Sequence, residues 1–248
     1  MQWISHSHSS DEPKIGSDLS GITESKKLSE ISPIAFFRSD FNEKFGIPRQ
    51  SGLVPELIGQ VIFRPEFASP EAVRGLSEFS HIWLIWQFSE NVNAGWKPTV
   101  RPPRLGGKVR MGVFATRSPF RPNSLGLSSV RLLDVATDGS TLTVGGADLL
   151  NNTPIFDVKP YVAQDLHPQG DFGFTTKNSD YRLDVEIPSK IAELVDATPL
   201  LALRHVLAED PRPAHQHIDG KEFGLSFAGF NVRFSVTGRQ LKVIAITR

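Results

Sequence analysis

The chain has 248 residues, of which 39% are hydrophobic, and its 27 basic and 27 acidic side chains give a net charge of zero. This length allows one large domain, or a large and a small one. The absence of cysteine excludes disulfides, thiolate nucleophiles and cysteine-based metal sites, and no apolar run reaches the roughly 18 residues of a membrane span.

Residues 1–30 are polar, with serine, glycine and charges of both signs and little periodicity. This composition predicts a disordered N-terminal extension. His6 and His8 could hold a metal, but a solvated tail is the favoured interpretation, and we predict no metal site. The extension also lacks the apolar segment of a secretory signal. We therefore expect a cytoplasmic protein with no membrane partner.

Short strand patterns begin at Ser32. SPIAFFRS and GQVIFRP predict strands, and the nearly continuous apolar run HIWLIWQF (His81–Phe88) predicts a strand buried on both faces. MGVFAT and LGLSSVRLLDV follow, and Asp138-Gly139 predicts a hairpin turn before STLTVGGADLL and PIFDVKPYV. Strands at this spacing, with no long helical pattern between them, favour an all-β barrel or sandwich. No glycine-rich dinucleotide fingerprint follows a strand.

The pattern changes over residues 164–178, which are rich in glycine and polar residues. Beyond them, YRLDVEIP predicts a strand, and SKIAELVDATPLLALRHVLAED predicts two short helices, with Thr198 as N-cap and Pro199 as the first residue of the second. A hairpin turning at Thr237-Gly238 closes the chain. We therefore predict a β domain over residues 31–165 and a small α+β domain over residues 166–248.

The zero net charge conceals a basic segment. Between Glu90 and Asp134 there is no acidic residue, so cations there must pair with carboxylates from other strands or bind an anionic ligand such as nucleic-acid phosphate. Prolines stiffen the segment and reduce the entropy lost on binding. Trp96 and Phe120 could stack on bases, although single aromatics more often belong to a core. The basic residues are Lys97, Arg101, Arg104, Lys108, Arg110, Arg117, Arg121 and Arg131.

The stretch GVFATRSPFRPNSLGLS (Gly112–Ser128), together with RPPRLGG (Arg101–Gly107), DVKPY (Asp157–Tyr161) and DPRPA (Asp210–Ala214), resembles the TrmO family, also called TsaA-like or YaeB-like. The resemblance extends from Ile34 to the C-terminus. It implies a single-sheeted β-barrel that binds S-adenosyl-L-methionine, followed by a small α+β domain, in a homodimer. The implied reaction methylates N6 of threonylcarbamoyl-adenosine, next to the anticodon of tRNA.

The resemblance also implies site residues. The cofactor contacts would be Pro48, Arg49, Gln50, His81, Ile82, Arg117, Leu127, Asp148, Leu149, Leu150, Asn151, Asn152 and Thr153. Contacts with tRNA are expected from the basic segment, the asparagine of its R-P-N turn and the DPRPA motif. These residues are Arg101, Arg104, Arg110, Arg121, Asn123 and Arg212.

Methyl transfer from a sulfonium depends mainly on holding the reactants in line, which can contribute about 7–11 kcal/mol. The proton on the acceptor nitrogen must still leave, and this requires a base, a water molecule or stabilisation of an anion. Asp157, Lys159 and Tyr161 alternate along a predicted strand, so they share a face and are our candidates for this catalytic task. A salt-bridged surface strand is an equally good interpretation.

Three positions differ from the family pattern. Ser124 replaces a frequent proline, which we expect to loosen a turn, and His215 replaces a tyrosine. Asn151 and Asn152 replace Asp-Gly; asparagine tolerates positive φ, but the carboxylate charge is lost. These differences leave two alternatives open: a non-catalytic RNA-binding module, or a methyltransferase of another nucleoside or a small molecule.

Overall fold

The computed structural model describes residues 30–102, 109–178, 181–213 and 218–248. Nearly all of the predicted N-terminal extension lies outside the described residues. The same holds for five residues named individually in the sequence analysis: His6, His8, Arg104, Lys108 and His215.

Within the described residues, eight short strands precede residue 161. They are β1 (Ala35–Arg38), β2 (Ile58–Phe63), β3 (His81–Gln87), β4 (Thr99–Val100), β5 (Met111–Gly112), β6 (Leu125–Val135), β7 (Thr141–Gly145) and β8 (Pro154–Pro160). Six of them close into a barrel in the order β1–β2–β7–β6–β3–β8, with every neighbouring pair antiparallel. The predicted barrel is therefore confirmed, and β4 and β5 form a separate two-stranded sheet.

The barrel interior is filled by alternate residues of each strand. In β3, Ile82, Leu84 and Trp86 are buried, whereas the residues between them are only half-buried. The prediction that β3 is buried on both faces is therefore wrong. Its outer face is apolar for other reasons, since Trp83 packs against Tyr161 and Ile85 lines a surface cleft.

The predicted strand over MGVFAT is also shorter than expected. Only Met111–Gly112 pairs as β5, and Val113–Ala115 forms a single 3₁₀ turn. The turn is fixed because the Val113 N–H donates to the Pro98 carbonyl (3.0 Å) and the Thr116 hydroxyl donates to the Val113 carbonyl (2.9 Å). This turn places Phe114 at the surface.

The C-terminal part contains β9 (Asp184–Glu186), α1 (Ser189–Ala192), α2 (Ala197–Ala208), β10 (Glu222–Phe227), β11 (Phe230–Thr237) and β12 (Gln240–Thr247). The strands form a sheet in the order β10–β11–β12–β9, with β9 parallel to β12, and the predicted β11–β12 hairpin is confirmed. Helix α2 begins at Ala197, and its N-cap is Asp196, two residues before the predicted N-cap Thr198. Pro199 still lies in the first turn, where its missing N–H costs no hydrogen bond.

The long β1–β2 loop, residues 39–57, packs into the core of the C-terminal sheet. Phe41, Val54 and Leu57 are buried in one cluster with residues of α2, β10 and β11. Backbone contacts reinforce this packing, since the Ala228 N–H donates to the Asp40 carbonyl at 3.2 Å. The loop thus shares a core with the predicted 166–248 domain, although it belongs to the other domain by sequence. Within the described residues, no helix is both long and apolar enough to cross a membrane.

Candidate active site

A cleft of about 1490 Å³ opens beside the barrel. Its walls come from the β1–β2 loop, the C-terminal end of β3, the N-terminal end of β6 and the segments flanking β4 and β5. Ligand sites commonly measure about 300–1,000 Å³, so this cleft is large enough for a cofactor and a nucleoside together.

The predicted basic segment forms one wall of this cleft. Of the described residues that line it, seven are basic and two, Glu90 and Asp148, are acidic. This imbalance makes the cleft attractive to anions, because unpaired cations concentrate positive potential in a concave surface. The basic residues are Lys44, Arg49, Lys97, Arg101, Arg110, Arg117 and Arg121.

Arg121 braces the turn that carries Phe114. Its Nη1 donates to the Thr116 carbonyl (2.6 Å) and to the Val113 carbonyl (3.3 Å), and its guanidinium lies 5.9 Å from the Phe114 ring centre. These bonds satisfy carbonyls of the 3₁₀ turn. They give Arg121 a structural task, and its contact with tRNA stays a prediction.

Replacing Arg121 by alanine is expected to destabilise the 113–116 turn by about 1 kcal/mol, since hydrogen bonds to two carbonyls are lost. Hydrogen exchange should show faster exchange of the backbone amides of residues 113–118. Arg110→Ala is the matched control, because Arg110 lies on the same wall but contacts only the Thr99 hydroxyl, at 3.3 Å, among its side-chain bonds in the described structure. Equal exchange rates in the two variants would contradict a bracing role for Arg121.

Two distant segments meet where Arg117 contacts Gln50. Arg117 Nη1 donates to Gln50 Oε1 at 3.0 Å, and this bond joins the TRSPF stretch (Thr116–Phe120) to the β1–β2 loop. The neighbouring Arg49 donates from Nη2 to the Asp210 carbonyl at 3.4 Å. A smaller cavity of about 370 Å³ adjoins this point and shares Pro48 and Arg49 with the cleft. The β1–β2 loop, which carries the predicted cofactor contacts Pro48, Arg49 and Gln50, is therefore held from both the barrel and the C-terminal side.

Asp148 lies on the inner wall of the cleft, three residues after β7 ends. Ser128 Oγ donates to its Oδ1 at 2.6 Å, and Trp86 Nε1 donates to Ser128 Oγ at 3.0 Å. Burial raises the pKa of Asp148, against the opposing effects of the Ser128 bond, backbone N–H groups and the charge of Arg117. Gly126 makes the arrangement possible, because a Cβ there would overlap the Trp86 indole.

The structure brings eight of the predicted cofactor residues to the cleft: Pro48, Arg49, Gln50, Arg117, Leu127, Asp148, Leu150 and Thr153. Leu127 faces Ile85 across the β3–β6 pair, and both side chains line it. Arg101, Arg110 and Arg121 also line it. The assignments of these residues to cofactor or tRNA remain predictions.

Five predicted cofactor residues do not line the cleft: His81, Ile82, Leu149, Asn151 and Asn152. Ile82 and Leu149 belong to the barrel core, and His81 Nδ1 lies 3.0 Å from Ser80 Oγ. Asn151 instead holds the β1–β2 loop, since its Nδ2 donates to Asn42 Oδ1 at 3.0 Å. Asn152 has φ 62°, a left-handed conformation that glycine adopts freely and asparagine tolerates.

Ser124 differs from our expectation. It has φ 47° and is buried, and its carbonyl accepts the Phe88 N–H at 2.9 Å. Proline, whose φ is fixed near −65°, cannot adopt this conformation. The backbone at Ser124 therefore differs from that of a turn with proline at this position. The expectation of a loosened turn is not met, because the bond from the Phe88 N–H holds the turn in place.

The three predicted catalytic residues lie outside the cleft lining. Asp157 and Lys159 form an ion pair of 2.9 Å at the surface, and Tyr161 packs against Trp83 with ring centres 5.3 Å apart. They share the outer face of the barrel as the alternation predicts, and Asp157 pairs with Ile85, which reaches the cleft. This placement matches the salt-bridged surface strand that was the alternative interpretation.

Arg212 is not available to tRNA in this structure. Its Nε and Nη2 form a bidentate pair with the Asp210 carboxylate at 2.8 and 2.9 Å, and both side chains are 3% exposed. The Tyr181 hydroxyl adds a third bond to this carboxylate, at 3.2 Å. The tRNA contact of Arg212 stays a prediction, and the burial of the guanidinium argues against it. Asn123 is exposed but does not line the cleft.

Trp86, Ser128 and Phe114 were missed by the sequence analysis. Strand alternation could have placed Trp86 and Ser128 inside the barrel, but no sequence signal brings them next to Asp148. In the described residues, no group of three or more histidine, aspartate or glutamate side chains is placed to hold a metal.

Comparison with known proteins shows the family of the chain. The model of the tRNA-methyltransferase O N-terminal domain matches residues 36–165, and that of the TrmO C-terminal domain matches residues 181–248. The chain belongs to the TrmO family. The family resemblance inferred from the motifs is thereby confirmed.

Other members of the TrmO family share most of the chain. The tRNA (adenine(37)-N6)-methyltransferase of Escherichia coli K12 is 41% identical over 231 residues, covering 88% of this chain and 97% of the relative. A putative S-adenosylmethionine-dependent methyltransferase of Pseudomonas aeruginosa is 36% identical over 220 residues, covering 82% and 91%. The crystal structure of TrmO from Pseudomonas aeruginosa superposes with a TM-score of 0.73 at 30% identity, covering 90% and 99%.

Proposed function

We propose that this protein methylates N6 of the threonylcarbamoyl-adenosine next to the anticodon of tRNA, with S-adenosyl-L-methionine as donor, in the cleft beside its barrel. Membership of the TrmO family and the activity named for the Escherichia coli relative support the reaction. The observation that carries the site is the meeting of Arg117 with Gln50 in a cleft that Asp148 and Leu127 also line.

The residues of the cleft fit this donor, whose methionine end carries a carboxylate and whose sulfur carries a positive charge. Arg117 and Gln50 can donate hydrogen bonds to the methionine carboxylate. Asp148 offers a negative charge opposite the sulfonium, and Leu127 and Ile85 offer apolar surface. When bound, the donor supplies a methyl group that forms a C–N bond at N6 as its C–S bond breaks, which leaves a neutral thioether and one surplus proton.

The basic wall gives tRNA a reason to bind at this cleft. Lys97, Arg101 and Arg110 line it without a carboxylate partner in the described structure, so their charges can pair with phosphates. Phe114 offers an aromatic face for a base, because its side chain is 74% exposed and its turn is fixed by Arg121.

Removing Arg101 and Arg110 together, each as alanine, is expected to weaken tRNA binding and to make it less dependent on salt. Each lost phosphate contact reduces the slope of log K against log salt concentration by about 0.7–0.9. Filter binding across a salt series measures this slope. Arg74→Ala is the control, since Arg74 is exposed and pairs with Glu71, away from the cleft. A double variant with the wild-type slope would remove these arginines from the tRNA surface.

The function is tested with purified protein, labelled donor and tRNA that carries threonylcarbamoyl-adenosine. Nucleoside mass spectrometry should find the methyl group on N6 of that nucleoside, and tRNA with unmodified adenosine should accept none. A methyl group on another nucleoside would favour the alternative of a methyltransferase that acts on that nucleoside. Cofactor-independent tRNA binding without transfer would favour a non-catalytic RNA-binding module. The nucleoside profile of a deletion strain provides the cellular test.

A homodimer and a cytoplasmic location complete this proposal. The homodimer is supported by the family resemblance, and the location is supported by the tRNA substrate. Sedimentation at micromolar concentration tests the assembly, and a monomer mass for the active protein would reject the dimer.

A further inference from the structure

We propose that Asp148 accepts the proton that leaves N6, and that Ser128 and Trp86 position its carboxylate for this step. This inference rests on the proposed function and adds a catalytic residue to it. It replaces Asp157 in that task, since Asp157 is paired with Lys159 outside the cleft lining.

The hydrogen bonds around Asp148 have a fixed direction. The Trp86 indole can only donate, so Ser128 Oγ must accept from it and use its own hydrogen for Asp148 Oδ1. Both Ser128 and Trp86 are buried in the barrel wall, so the bond between them is shielded from water. The carboxylate is thereby held in one orientation while Asp148 lines the cleft.

The environment of Asp148 favours proton uptake. Burial raises its pKa, and a carboxylate whose pKa is closer to neutrality is a better general base. Arg117 acts in the opposite direction and preserves the ionised form that a base requires. The other charged groups that share the cleft are Lys44, Arg49, Glu90, Lys97, Arg101, Arg110 and Arg121.

The proton transfer balances with the methylation. As N6 bonds to the methyl carbon, the electron pair of its N–H bond stays on nitrogen and the proton passes to the Asp148 carboxylate. Asp148 becomes a neutral carboxylic acid, which returns the proton to water once the product has left. No oxidant, metal or further reactant is needed.

Asp148→Asn tests the step, because the amide keeps the size of the side chain and an acceptor for Ser128 but is not a base. We expect a calorimetric Kd for tRNA within about threefold of wild type, a weaker affinity for S-adenosyl-L-methionine because the charge opposite its sulfonium is lost, and a single-turnover transfer rate at saturating donor lower by about 10²–10⁴-fold. A large loss of donor affinity with normal transfer at saturation would overturn the proposal and make Asp148 a binding residue. Normal transfer in all respects would overturn it as well.

Ser128→Ala provides a second readout. The Ser128 bond favours the ionised form, so its loss should raise the pKa of Asp148 further and move the acidic limb of the pH–rate profile to higher pH. An unmoved limb in a variant with a wild-type melting temperature would overturn the positioning role.

Asp157→Asn separates the two candidate bases. If this variant loses transfer and Asp148→Asn does not, the base is Asp157 and the proposal is overturned. If the wild-type protein transfers no methyl group to tRNA, the proposed function itself is rejected. If the wild type and Asp148→Asn are both active, only the role of Asp148 as the base is rejected.

Discussion

Replacing Arg212 by alanine is expected to destabilise the protein by about 3–5 kcal/mol, since it leaves the Asp210 carboxylate buried without its bidentate partner. The Tyr181 hydroxyl, at 3.2 Å, cannot compensate for a lost guanidinium. Chemical denaturation followed by circular dichroism measures the change in unfolding free energy. The donor affinity should fall too, because the Asp210 carbonyl anchors Arg49 beside the cleft.

Arg233→Ala is the matched control for this experiment. Arg233 pairs with Glu222 at 3.4 Å, but both side chains are 55% exposed, and pairs of this kind contribute about 0–1 kcal/mol. If Arg212→Ala lowers the unfolding free energy by less than about 1 kcal/mol, then water reaches the Asp210 carboxylate in the variant or that carboxylate becomes protonated. Unchanged stability with weaker tRNA binding would restore Arg212 to the tRNA surface.

Arg117→Ala is expected to weaken S-adenosyl-L-methionine binding by about 1.5–3 kcal/mol, the value of a hydrogen bond to a charged group. This corresponds to roughly ten- to hundredfold in Kd. The change removes a cation from the cleft and releases Gln50, whose Oε1 accepts from Arg117. Calorimetry with the purified variant measures the effect.

Arg74→Ala serves as the control here as well, because its only described ion pair is the exposed one with Glu71. An unchanged Kd for Arg117→Ala would separate Arg117 from the donor. If tRNA affinity falls instead, the TRSPF stretch faces the RNA, and the donor site must lie deeper in the cleft.

The barrel could be predicted largely because its strands alternate. The pattern from LGLSSVRLLDV to STLTVGG, with Asp138-Gly139 between them, corresponds to the β6–β7 hairpin. The errors arose where tertiary contacts decide. The MGVFAT strand ends at Gly112 because Val113–Ala115 forms a 3₁₀ turn, which the Thr116 N–H and hydroxyl close on the Val113 carbonyl. The outer face of β3 is apolar because Trp83 and Ile85 have partners there.

The site was only partly predictable. The family motifs led to the segments around Gln50, Arg117 and Asp148, but not to their contacts. For Arg212 a local signal existed, since an aspartate two residues before an arginine in a proline-flanked corner can form an ion pair. Ser128 and Asp148 are 20 residues apart, and Trp86 and Ser128 are 42 apart, so only the strand register brings them together.

The packing of residues 39–57 has a consequence for how the protein can be divided. Cutting the chain after the barrel would leave Phe41, Val54 and Leu57 facing water and free the strand-to-strand connection that bears Pro48 and Gln50. The barrel alone is therefore expected to be less stable and to lose the ordered loop that its cleft requires. Grafting the methyl-transfer site onto another scaffold requires transplanting the C-terminal sheet along with it.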